Sequence, residues 1–137
     1  GGAARVVVPD GKLVLNTTAV SATAAELNTY TLNTRIDDIS TASSCYVIAP
    51  KAGTLSKIFS IIDGTTSSAD AIITASVNGR IAISNTLTIA DGSDAAAIDN
   101  TTPGDNNTVA IGEYIKLTTN GASTGTVSAV FTIQITY

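Results

Sequence analysis

The sequence predicts an all-β protein, a jelly-roll-like two-sheet β-sandwich over residues 44–137 preceded by an extended N-terminal arm over residues 1–43. Three observations carry this expectation. Short apolar runs rich in β-formers are punctuated by turn dipeptides, Asp63-Gly64, Asn78-Gly79 and Asp91-Gly92. The final run alternates with period two, Val127, Ala129, Phe131, Ile133 and Ile135 against Ser128, Thr132, Gln134 and Thr136. The chain has no Trp and only one Cys, so the core Trp and paired Cys of an immunoglobulin-like sandwich are missing and a jelly roll is favoured.

The body is expected to hold seven or eight short strands. Ser44 to Ile48 is the first, ended by Pro50 and Gly53. Thr54 to Ile62 follows, with Leu55, Phe59 and Ile61 at strand-like spacing and Ile58 and Ile62 blurring the alternation. Ala71 to Val77 places Ile73, Ala75 and Val77 on one side. Asn78-Gly79 predicts a type I′ turn, because both residues tolerate positive φ, and Arg80 to Ile83 is expected as the return strand. Leu87 to Ile89 is another short strand. The Asp-, Asn- and Ala-rich stretch from Gly92 to Asn107 is expected as a long surface loop with one helical turn through Ala95 to Ile98. Val109 to Ile111, Tyr114 to Thr118 and Thr126 to Tyr137 complete the series.

The N-terminal arm has another character. Arg5, Val6, Val7 and Val8 form one apolar patch, and Leu13, Val14 and Leu15 form a second. Pro9-Asp10-Gly11 joins them into a hairpin too small to stand alone. Thr23 with Glu26 makes a capping box and predicts a short helix to about Thr29. Thr31 to Ser40 is polar with isolated Leu32, Ile36 and Ile39. Either the arm lies along the sandwich or it reaches a neighbouring subunit, and its two apolar patches are its expected contact residues.

Composition narrows the function. The 137 residues suffice for one domain with a core that needs no disulfide or metal. Only 13% are charged, about half the usual share, and Thr, Ser, Asn and Ala take their place. Short hydroxyls and amides lose less rotamer freedom under a partner than Lys, Arg or Glu, so such a surface suits a protein packed against other subunits. A net charge of −4 with scattered cations argues against nucleic acid and anionic membranes. No apolar run is long enough to span a bilayer, and Gly1 to Arg5 lacks the apolar core of a secretory signal.

Catalysis is not expected. The chain has no His, which removes the commonest proton carrier and the Cys–His pair. Cys45, beside Tyr46, Val47 and Ile48, reads as a small buried hydrophobe. Asp10, Asp63 and Asp91 each precede Gly, where the side chain bonds the nearby backbone of a turn. Asp91-Gly92-Ser93-Asp94 with Asp99 and Asp105 has some character of a calcium loop but lacks EF-hand spacing. No catalytic residue, metal or cofactor is therefore assigned. A sugar site would draw on Tyr30, the one tyrosine in a polar segment.

Several phrases carry a family likeness. Val20-Ser21-Ala22-Thr23-Ala24-Ala25-Glu26-Leu27-Asn28 resembles a phrase of phage tail-fibre and head-decoration chains. Ala49 to Ile58, followed by Asp63-Gly64 and Ala69-Asp70-Ala71, is similar to small head-decoration proteins of tailed bacteriophages. Gly121 to Val127 with Phe131-Thr132-Ile133 fits the same likeness, which covers most of the chain from Val20 on.

The resemblance implies a decoration or cement protein: a non-enzymatic homotrimer on the outer surface of the virion capsid, contacting the major capsid protein and stabilising the mature shell. An N-terminal arm commonly makes such contacts. A tail or fibre module binding host-surface glycans is the alternative expectation.

Overall fold

A computed structural model describes residues 9, 14–15, 18–19 and 24–137 of the protein. In chain order the elements are β1 (Val14–Leu15), β2 (Thr18–Ala19), α1 (Ala24–Leu27), β3 (Thr29–Ile36), β4 (Ser44–Ile48), β5 (Gly53–Ile62), β6 (Ala71–Val77), β7 (Leu87–Ile89), β8 (Ile98–Thr101), β9 (Thr108–Val109), β10 (Tyr114–Thr119) and β11 (Ala129–Thr136). All pairings among them are antiparallel.

Two sheets form the body. One has the order β3-β11-β5-β8 with β9 also on β5, and the other β4-β10-β6-β7. The pairs nest: β6 with β7, β5 with β8, β4 with β10, and β3 with β11. A single antiparallel ribbon folded back on itself and wrapped over two layers gives this order, which is a jelly-roll winding, the sandwich type favoured from sequence. The inner faces meet in one core that includes Leu55, Ile58, Ile73, Val77, Leu87, Ile89, Ile115, Leu117, Phe131, Ile133 and Ile135, all buried.

The last strand follows its sequence pattern. Val127, Ala129, Phe131, Ile133 and Ile135 are buried, and Val130 faces out. In β5 the expected phase is corrected. Lys57 pairs with Gln134 but Leu55 pairs with Ile135, so Ser56 is an extra residue at a bulge. A bulge inserts one residue and so inverts the faces beyond it. Leu55 is therefore buried with Ile58, Ser60 and Ile62, whereas Phe59 and Ile61 point outward.

Other expectations shift in the same concrete way. Asn78 (φ 50°) and Gly79 (φ 71°) form the I′ turn, closed by the Arg80 amide donating to the Val77 carbonyl at 2.9 Å. Arg80 to Ile83 is not a strand. Ile83 is buried and donates its amide to Ala75, but Ile81 is exposed, and the ladder partner of β6 is β7. Residues 92–107 are not one loop, because β8 pairs with β5 from Ile61↔Ile98 to Ile58↔Thr101. Thr29–Ile36, read from sequence as arm, is an eight-residue strand of the sheet, with Ile36 in the core and Tyr30 and Leu32 packed against it. Its alternate apolar side chains are masked in the sequence by Thr and Asn on the outer face.

The connections gather at two poles. Residues 37–43, 63–70, 90–97 and 120–128 meet at one, where Ile39 donates to Val127, Thr66 to Ser93, and Thr124 to Ser67. Residues 49–52, 78–86 and 102–113 meet at the other, where Gly112 donates to Ala49 and Gly104 to Ser84. The short helix and the chain's last residue join this second pole, since Tyr137 donates its amide to Asn28 and its hydroxyl to Leu27.

Candidate interaction surfaces

Of the expected contact residues, Arg5, Val6, Val7, Val8 and Leu13 lie outside the described residues. Val14 and Leu15 form β1, and their partners are Ala19 and Thr18 in β2. The expected hairpin joined by Pro9-Asp10-Gly11 lies, apart from Pro9, Val14 and Leu15, outside the described residues.

The bulge in β5 creates a surface that periodicity alone missed. On the outer face of the five-stranded sheet, Val130, Ile61 and Ile98 stand side by side across three strands, with Arg35 completing the row on β3. Phe59 follows in the next row, between Thr132 and Asn100. All four apolar side chains are exposed. Such a cross-strand cluster on a solvent face marks a contact surface more often than a soluble monomer's skin.

The four-stranded sheet carries a second cluster. Tyr46 is 59% exposed and meets Tyr114 edge to face, with centroids 5.6 Å apart. The Lys116 ammonium lies 5.9 Å from the Tyr46 ring, its cross-strand neighbour. Ile48 pairs with Tyr114 and extends the cluster to the end of β4. Tyr30, the tyrosine singled out by its polar neighbourhood, is instead half-buried. Its hydroxyl donates to the Lys51 carbonyl, and burial pushes its pKa up against that hydrogen bond. Tyr137 stacks at a tilt against it, under the Lys51 ammonium.

The poles differ in charge. Asp37, Asp38, Asp63, Asp70, Asp91 and Asp94 all sit in the loops of the first pole, accompanied by Arg35. Two of these carboxylates clamp loops. The Ser128 hydroxyl and amide donate to Asp63 at 2.6 and 2.8 Å, and with Arg35 nearby they hold its pKa low. Ser40 and Thr41 donate to Asp38 and hold its pKa low likewise. A shallow cleft of about 380 Å³ lies between Arg35, Asp37, Asp38, Thr41 and Ser44. Its acids are occupied by loop hydrogen bonds and ion pairs rather than poised as a proton-transfer pair.

The supposed calcium run is divided. Asp91 and Asp94 belong to the first pole, Asp99 to β8, and Asp105 to the second pole, where its amide donor contacts Ser84. Among the described residues no group of three or more His, Cys, Asp or Glu side chains could hold a metal ion. Among them also no helix is long and apolar enough to cross a membrane.

At the second pole one ion pair ties three loops together. Glu113 accepts from Arg80 at 2.7 Å and from the Ala110 amide at 2.9 Å. Arg80 also donates to Val77 and Thr108. Ala49 donates to the Glu113 carbonyl and accepts from Gly112. Around this knot stand Ile81, Ile111 and Ile48, exposed by 78%, 72% and 65%.

No protein-family profile matches the chain, and no curated protein matches it. Among solved structures it is similar to the catalytic unit of a thermostable alpha-1,3-glucanase from Streptomyces thermodiastaticus, at 13% identity and a TM-score of 0.46. That match covers 82% of this chain and 26% of the glucanase unit, so the chain spans about a quarter of that structure's length.

Proposed function

We propose that this chain is a structural, non-catalytic virion protein that binds the outer surface of a phage capsid as a homotrimer and stabilises the mature shell. The reading rests on the phrases Val20 to Asn28 and Ala49 to Ile58, which resemble head-decoration proteins. Two features of the body support it. Its surface is poor in long charged side chains, and it exposes ordered apolar clusters on rigid strands, where covering them costs little conformational entropy. A subunit that binds only the expanded shell stabilises that state by mass action, and three linked weak contacts add avidity. The partner is the major capsid protein, and the N-terminal patches Arg5 to Val8 and Leu13 to Leu15 are the proposed contacts. Deleting residues 1–15 should leave a folded trimer that no longer pellets with empty shells. Undiminished pelleting would sink the assignment of the arm.

The exposed Tyr46 favours one second reading, a tail or fibre module that stacks host glycans on this ring. Glycan-array binding abolished by Tyr46→Ala would select it.

A further inference from the structure

The sequence holds two Asn-Gly pairs, Asn78-Gly79 directly after β6 and Asn120-Gly121 directly after β10. Such a pair carries its own chemistry, because glycine leaves the following backbone nitrogen open to approach by the asparagine side chain. The fold treats the two pairs differently. Asn120 is clamped: its Oδ1 accepts from the Ile72 and Ala122 amides at 3.1 and 3.2 Å, and its Nδ2 donates to the Asp70 carbonyl at 3.3 Å. The Gly121 amide donates to Thr119 Oγ1 at 3.2 Å, and the Gly121 backbone lies close against that of Ala42. Asn78 stands at an exposed turn and is held only by its own amide, which donates to Tyr114 at 2.8 Å. Its side-chain amide, its carbonyl oxygen and the Gly79 amide have no hydrogen-bond partner among the described residues.

We infer that Asn78 is a site of spontaneous modification, where the side-chain amide is lost as ammonia through a cyclic imide formed with Gly79, and that the fold protects Asn120 from the same reaction. The Gly79 nitrogen gives up its proton to hydroxide and bonds to Asn78 Cγ. The Cγ–Nδ2 bond then breaks, and Nδ2 takes a proton and leaves as ammonia. Water opens the imide at either carbonyl carbon, giving an aspartyl residue or an isoaspartyl residue whose main chain runs through Cβ. One water is consumed, one ammonia is released, and nothing is oxidised or reduced. The turn supplies a route to this geometry. In a type I′ turn the first central ψ is about 30°, which points the Gly79 nitrogen away from the Asn78 side chain. Flipping the peptide between the two residues gives a type II′ turn with ψ of about −120°, which brings that nitrogen to the side of Cβ. The flip leaves the closing bond from Arg80 to Val77 in place and breaks no other, because neither end of the flipping peptide is bonded. The flipped state is strained for a residue with a side chain and so is brief, which makes the reaction slow but leaves it open. At Asn120 the same approach must first release the side-chain clamp and the Gly121 bond to Thr119. Each event at Asn78 adds one negative charge to a chain of net charge −4, and the isoaspartyl product lengthens the turn next to Arg80.

The test incubates the full wild-type chain in mildly alkaline buffer made with oxygen-18 water, once folded and once unfolded in guanidinium chloride. Peptide mapping by mass spectrometry follows the conversion of amide to acid at each pair, and an isoaspartyl methyltransferase reports the linkage of the product. In the unfolded chain the two pairs should react at similar rates, since their local sequences are alike where the chemistry occurs. In the folded chain Asn78 should convert at least tenfold faster than Asn120, and its product should carry oxygen-18 and contain the isoaspartyl form. Folded-state conversion of Asn120 at a rate equal to or above that of Asn78 overturns the inference. An Asn78 product without any isoaspartyl linkage also overturns it, because direct hydrolysis of the side chain gives the aspartyl form alone. So does a folded chain in which neither pair converts over many times the half-life measured in the unfolded chain.

Discussion

The Arg80 guanidinium and the Glu113 carboxylate meet at 2.7 Å across two turns of the sandwich. Arg80 is half-exposed, so screening limits the pair itself. Glu113 is more sheltered, and its second hydrogen bond to the Ala110 amide fixes the turn that presents Ile111. Glu113→Ala should lower unfolding stability by about 1 kcal/mol in urea titrations. Glu113→Gln, which keeps an acceptor for Ala110, should cost less.

Two glycines with left-handed backbones separate strain from crowding. Gly92 has φ of 75° and open space where a Cβ would go. Gly121 has φ of 64°, and a Cβ there would lie 2.3 Å from the Ala42 nitrogen. Gly92→Ala should cost about 1 kcal/mol from backbone conformation alone. Gly121→Ala should cost roughly 3 kcal/mol, because the 37–43 loop must also move. Parallel denaturant titrations of the two variants measure the difference.

Ser60 and Asp99 are cross-strand partners in the five-stranded sheet, and both Ser60 Oγ and Asp99 Oδ2 are buried without a hydrogen-bond partner. An unsatisfied buried hydroxyl costs on the order of 1 kcal/mol or more. Ser60→Ala should therefore raise the melting temperature slightly rather than lower it, as calorimetry would show.

Acid should loosen the aspartate pole. The hydrogen bonds from Ser128 and Ser40 depress the folded-state pKa values of Asp63 and Asp38. Stability from these groups is therefore present above the ordinary carboxylate pKa of about 4, and is lost as pH falls through the depressed folded values. The Asp63→Asn and Asp38→Asn double variant should show a shallower fall in melting temperature between about pH 5 and pH 2 than the wild type.

Cys45 is buried in β4, and burial pushes its thiol pKa up despite hydrogen bonding from its surroundings. Native protein should react with iodoacetamide far more slowly than the unfolded chain. Equal labelling rates would contradict the burial.

How much of this was legible beforehand depends on whether local pattern or partner contacts decided each element. The alternation from Val127 to Ile135 is local, and it specified the face of β11 correctly. Asn78-Gly79 specified its turn for the same reason, through φ alone. The missing Trp and Cys pair favoured a jelly roll over an immunoglobulin-like sandwich, but the strand order itself was not legible, because it is set by pairings between strands far apart in sequence. The phase of β5 was not legible, because the extra residue at Ser56 is defined only against Gln134 and Ile135 on another strand. β8 was hidden in Ile98-Asp99-Asn100-Thr101, a sequence with poor β propensity that is held by pairing with β5. β3 was hidden because an edge strand half open to solvent tolerates Thr and Asn. The surface clusters inherit these limits: Phe59 and Ile61 look like core until the bulge turns them outward.

The place of β11 between β3 and β5 has a consequence for how the protein is made. This interior strand follows every other described strand of its sheet in the sequence. Until Ala129 to Thr136 has left the ribosome, β3 and β5 have no shared neighbour, and Phe131, Ile133 and Ile135 are missing from the core. Neither strand can exchange its hydrogen bonds with the other directly in this winding. The sheet therefore closes only after translation of β11, in a step dominated by contacts far apart in sequence, which is slow by nature. During that interval the nascent chain presents open strand edges to its neighbours, and a crowded polysome is where it is most exposed to mispairing.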